Sequence, residues 1–126
     1  MERQHLEHFL DRGYELGFVK GTQNPQLLGW ILVRKRLPDE RYVALLAPGE
    51  ETEYVSEQDL LRKRPYQVRI VELDRDVFDS DRYETEGDFH LNECRYFSSL
   101  DDVEEFVFQF GYLLKDIKWP IEIDAP

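Results

Sequence analysis

The sequence predicts an α+β domain, a mostly antiparallel sheet of four or more strands packed by N-terminal and C-terminal helices in the order α-β-β-α-β-β-α. Three observations carry that expectation. Apolar residues recur at helical spacing near both ends of the chain. The middle holds strand-like runs separated by turn residues. The 126 residues include 41% hydrophobic and 13% aromatic side chains, enough for one core and one domain over residues 1–126. A chain of this length buries roughly two thirds of its unfolded surface, so neither a disulfide nor a structural metal is needed.

Leu6, Phe9, Leu10, Gly13 and Tyr14 fall at i, i+3, i+4, i+7 and i+8, with Glu2, Arg3, Glu7, Asp11 and Arg12 opposite. This spacing predicts a first helix over about 2–16, stopped at Gly17. Gly21 to Pro25 has loop chemistry. Leu27–Lys35 and Arg41–Ala47 are β-rich runs around the turn Leu37-Pro38-Asp39-Glu40, which predicts an antiparallel hairpin. The second run is apolar at successive positions, the pattern of a strand covered on both faces.

Ser56 and Asp59 resemble a capping box for a short helix through Leu60 and Leu61, closed by Pro65. Tyr66, Val68 and Ile70 alternate with Gln67 and Arg69, and Phe89, Leu91 and Phe97 share one parity further on. A second hairpin, about 66–73 with 88–97, follows. Ser98 or Ser99 caps a last helix with Asp101, Asp102, Glu104 and Glu105 in its first turns and Leu100, Val103, Phe106, Val107 and Phe110 on its apolar face. Gly111 is the expected stop. Residues of about 112–126 mix Leu113, Leu114, Ile117, Trp119, Ile121 and Ile123 with Pro120, a tail expected to dock on the body.

The charge of −11 and pI near 4.7 oppose nonspecific binding to nucleic acid or anionic lipid. No apolar run approaches the roughly 20 residues of a membrane span, and no leader peptide is legible, so a cytoplasmic protein is expected. Cys94 is the only cysteine, which suits a reducing compartment. Charge is unevenly spread: residues 1–48 hold seven Lys/Arg and six Asp/Glu, whereas residues 49–126 hold nine and twenty-one.

The excess peaks from Glu72 to Glu93, where nine acids face only Arg75 and Arg82. Such a block repels itself, so it is either a solvated loop or a surface for something basic. Asp74, Asp76, Asp79, Asp81, Glu84, Glu86 and Asp88 would steer a basic protein, and Phe78 and Tyr83 would anchor it. Asp74-x-Asp76 begins like a calcium loop. Phe78, Asp79 and Thr85 stand where an EF-hand needs an oxygen ligand, glycine and glutamate, so no metal or other cofactor is expected.

His90 and Cys94 lie four apart on a strand, about 13 Å at about 3.3 Å per residue, too far for a thiol and its base; a structural histidine and a buried thiol are expected. His5 and His8 have chelating spacing but no further ligands. Arg34-Lys35-Arg36 and Arg62-Lys63-Arg64 could touch phosphate, though solubilising charge at element ends explains both. The aromatics read as core, with Trp119 beside Pro120 a candidate exposed anchor. No phosphate loop, nucleophile elbow or zinc-protease pair is present, which argues against a recognisable enzyme.

In general character a small acidic domain of this kind resembles bacterial immunity proteins and other inhibitors, which cover the cleft of a basic, nuclease-like toxin. That resemblance implies a protein-binding function with the acidic segment standing in for substrate phosphates. The alternatives are a small carboxylate- or metal-dependent enzyme, which needs acids converging in a pocket, and a structural subunit of a larger assembly, which needs an exposed apolar patch near Trp119 and Ile121.

Overall fold

The computed structural model describes residues 1–39, 41, 45–47, 49, 53–79 and 89–126. Among them, strands β1 (Leu16–Lys20), β2 (Leu27–Lys35), β3 (Tyr66–Asp74) and β4 (Phe89–Phe97) form an antiparallel sheet in spatial order β1-β2-β3-β4. The helices are α1 (Arg3–Asp11), α2 (Glu53–Lys63), the short α3 (Arg75–Asp79) and α4 (Leu100–Gln109), followed by 3-10 turns at Leu114–Asp116 and Pro120–Ile123. The class is α+β, and its order broadly follows the expected one.

Strand parity builds two cores. Phe18, Ile31, Val33, Val68 and Ile70 face one side, under Leu6 and Leu10 of α1 and Leu100, Val103 and Val107 of α4. Trp30, Leu32, Val71 and Leu73 face the other, under Ile123, with Val77, Phe78 and Phe89 at the margin. Feeding both sides requires β2 to be apolar at consecutive positions, and Gly29 to Val33 are all buried.

The tail reaches both cores. Ile117 lies in the first, and Ile123 in the second. Between them Lys118 forms an antiparallel bridge with Gly17, each backbone N–H donating to the other's carbonyl at 2.9 Å. The chain thus crosses the outer edge of β1 like a strap. The Trp30 indole N–H donates to the Ile123 carbonyl at 2.7 Å and fixes the far end.

The first hairpin differs from expectation. α1 ends at Asp11, and Gly13, at φ 86°, makes the turn assigned to Gly17. Leu16 and Gly17 therefore enter β1, the strand that pairs with β2 in place of Arg41–Ala47. Residues 42–44 lie outside the described residues; Leu45 is 85% exposed, and Leu45 to Ala47 form no strand. With β1 on one side of β2 and β3 on the other, no lateral position remains for that run. Glycine at 17 is a packing requirement, because a Cβ there would lie 2.5 Å from the Ile31 carbonyl oxygen and 2.8 Å from Leu32 Cδ2.

The second hairpin is as expected, with β3 and β4 paired and a bulge beside Glu72 and Leu73. α2 begins at Glu53, before Ser56, so that serine lies inside the helix and does not cap it. At α4 the expectation holds: the Ser99 hydroxyl accepts from the Asp102 N–H at 3.2 Å, and Gly111 takes φ 89° after the last turn. Phe110, expected on the apolar face, is exposed and meets Phe106 only edge-on at 5.2 Å.

Candidate functional site

β3 separates two oppositely charged ends of the sheet. At its start the Arg36 N–H donates to the Pro65 carbonyl at 2.8 Å, which brings the two basic triplets side by side. Half of that charge is answered internally: Lys35 meets Asp11 at 2.7 Å, Arg36 meets Glu57 at 3.0 Å and Arg62 meets Asp59 at 3.1 Å. Eight residue steps further on, about 26 Å at about 3.3 Å each, β3 delivers the chain to Asp74.

There the Asp74 carboxylate accepts from the Asp76 N–H at 2.8 Å and turns the chain into α3. Arg75 pins that helix to the β1–β2 loop, its N–H donating to the Gln26 carbonyl at 2.7 Å and its Nε to the Pro25 carbonyl at 3.3 Å. Phe78 is thereby laid over Trp30, ring centroids 5.7 Å apart. Trp30, Phe78, Leu28 and Ile123 floor a cleft of about 400 Å³ that Lys20, Arg75, Asp79 and Asp124 border. Asp124 takes the left-handed conformation, φ 50° and ψ 36°, that ends the last 3-10 turn.

Of the expected contact residues, Asp74, Asp76, Phe78 and Asp79 lie at this end of the sheet; Asp81, Tyr83, Glu84, Glu86 and Asp88 lie outside the described residues. Phe78 is half-buried and forms floor, not a protruding anchor. Among the described residues no base forms an ion pair with Asp74, Asp76, Asp79 or Asp124. The flanks of the acidic run are neutralised. Lys20 meets Glu72 at 2.5 Å across Gly29, the two side chains 16% and 14% exposed, and Arg95 meets Glu93 at 3.2 Å. The cleft's bases are also engaged, Lys20 by Glu72 and Arg75 by the Pro25 carbonyl.

The acids of α4 differ. Arg3 reaches Asp101 at 2.5 Å, Glu7 at 3.5 Å and Glu104 at 3.8 Å. The hydrogen bond to Asp101 is the main cause that raises the guanidinium pKa above its ordinary value. Those carboxylates already have a counter-charge. No family model, curated protein or solved structure matches this chain. Function therefore rests on the chemistry of the site.

Other expected sites fare as follows. Among the described residues no three His, Cys, Asp or Glu side chains are grouped to hold a metal, and no helix is long and apolar enough to cross a membrane. His5, His8 and His90 are exposed. Cys94, expected to be buried, is exposed because β4 is the outermost strand; its sulfur accepts from Gln67 Nε2 at 3.3 Å. Trp119 packs between Phe9, at 4.6 Å, and Tyr14, at 5.5 Å, which leaves Ile121 as the exposed residue there. Ile123 and Asp124 were missed as parts of the cleft. Only the strap brings them to residues nearly a hundred positions away, and no local pattern encodes that meeting.

Proposed function

We propose that this chain is a protein-binding domain that takes a basic partner at the acidic end of its sheet, as an inhibitor or immunity protein would cover a nuclease-like cleft. The observation that carries the reading is the junction of a half-buried aromatic ring, Phe78 backed by the buried Trp30, with the Asp79 and Asp124 carboxylates, which no base of the described residues neutralises. An arginine or lysine suits such a place, because its stem lies on apolar surface, its charge sits over an aromatic face and its head meets a carboxylate. Asp74 and Asp76, with the further acids at 81, 84, 86 and 88, add a field that accelerates encounter without adding close contacts. A reducing cytoplasm suits the exposed thiol of Cys94.

The test begins with affinity capture on the full chain. Association of the captured partner is then followed by stopped flow with the wild type and with a triple Asp76→Asn, Asp79→Asn and Asp124→Asn variant. The expected result is a basic partner whose association slows about tenfold at low salt and loses much of its salt dependence in the variant. An acidic partner, or one whose kinetics ignore all three substitutions, refutes the proposal.

A further inference from the structure

The sheet has two edges, and the described residues treat them differently. The β1 edge is closed by the Lys118 bridge. On the outer side of β4 the described residues place no strand, although β4 is nine residues long. His90 and the run Asn92 to Arg95 are exposed. The alternate N–H and C=O groups that do not pair with β3 face outward, an arrangement that templates another strand.

The β4 sequence is complementary to itself. Leu91, Glu93, Arg95 and Phe97 share the face that carries the helices, and Asn92, Cys94 and Tyr96 share the other. We infer that β4 pairs antiparallel with β4 of a second copy about a two-fold axis at Cys94, joining two sheets into one of eight strands. In this register Glu93 faces the second copy's Arg95, Leu91 faces its Phe97, Asn92 faces its Tyr96 and Cys94 faces its own equivalent. The Glu93–Arg95 pair already within each strand becomes a square of alternating charge.

Neighbouring registers lack that match. An axis at Glu93 sets two carboxylates opposite one another, and an axis at Arg95 sets two guanidinium groups opposite one another and Glu93 against Phe97. A register centred on Asn92 sets Glu93 against Leu91 and Arg95 against Phe89, and one centred on Tyr96 sets Arg95 against Phe97 and leaves Glu93 opposite Ser99, beyond the end of β4. Only an even offset keeps the helices of both copies on one side, so the choice narrows to the axis at Cys94. Leu91 and Phe97 pack against the helix-covered core, so their pairing would extend that core across the axis. Antiparallel docking also sets the acidic end of each copy beside the basic end of the other.

The test uses the full chain in sedimentation equilibrium. The wild type is expected at about twice 15.1 kDa. Glu93→Arg and Arg95→Glu, made singly, should each weaken association at least tenfold, and the double charge swap should restore it. Because every one of these positions is exposed, circular dichroism of each variant serves as the folding control, and the rescue by the double swap cannot arise from misfolding. Oxidation with copper phenanthroline should join the wild-type dimer through Cys94, the only thiol of the chain. A monomer at about 100 µM overturns the inference. So does a dimer that the single swaps leave intact, or one that Cys94 fails to cross-link.

Discussion

Two isoleucines two residues apart test whether the tail is a structural element. Ile123 is 6% exposed in the second core, whereas Ile121 is 86% exposed. Ile123→Ala removes three buried carbons, worth about 2.4 kcal/mol at about 0.8 kcal/mol each. A residual cavity over Trp30, Leu32 and Val71 brings the expected loss to about 3 kcal/mol. That raises the unfolding constant by roughly two orders of magnitude, since about 1.4 kcal/mol is tenfold. Urea unfolding followed by tryptophan fluorescence reports it, because Trp30 is buried and hydrogen-bonded to the Ile123 carbonyl. Ile121→Ala should change stability by less than about 0.5 kcal/mol. If both variants lose under about 1 kcal/mol with an unchanged denaturant slope, the strap contributes nothing to the fold and the cleft loses one of its walls.

Three further outcomes follow from contacts already described. Gly17→Ala should cost about 1–3 kcal/mol through overpacking against the Ile31 carbonyl and Leu32, seen as a lower thermal midpoint. Lys20→Met leaves Glu72 largely buried without its counter-charge and should cost about 1–3 kcal/mol, much of it recovered in the Lys20→Met/Glu72→Gln double variant. Chemical denaturation of both variants and of Glu72→Gln beside the wild type measures the coupling. The third outcome concerns pH: the hydrogen bond from Lys35 to Asp11 raises the ammonium pKa above 10.5, outweighing the opposite pull of burial, with Tyr66 adding to the rise. A raised pKa stabilises the fold fully below the ordinary value and fades as pH climbs through the folded one. Urea midpoints measured from about pH 9 upward should therefore fall more steeply above about pH 10.5 in the wild type than in Asp11→Asn.

Local rules recovered the elements that local chemistry specifies. The Ser99 cap, the Gly111 stop and the period-two alternation of Tyr66, Val68 and Ile70 each act within a few residues, and each is found in place. β1 escaped because Leu16 to Lys20 offers only five residues and includes a glycine, which reads as a helix stop until its contact with the Ile31 carbonyl is known. The Arg41–Ala47 run read as a strand on composition, yet its place beside β2 belongs to β1. The site was legible in part. Asp74, Asp76 and Asp79 stand out as an unbalanced run, but the Lys20–Glu72 pair depends on both residues flanking Gly29 in register, and the cleft wall at Ile123 depends on the strap.

The strap also sets a schedule for synthesis. Gly17 leaves the ribosome about 100 residues before Lys118, which at roughly 5–20 residues per second is a delay of about 5–20 s. Both hairpins can form once Phe97 has emerged, but until the tail follows the nascent chain has neither the closure over β1 nor Ile123 packed on Trp30. The species most exposed to wrong pairing is thus a chain whose four strands have emerged but whose strap has not, and any slowing of translation between residues 97 and 118 lengthens its exposure.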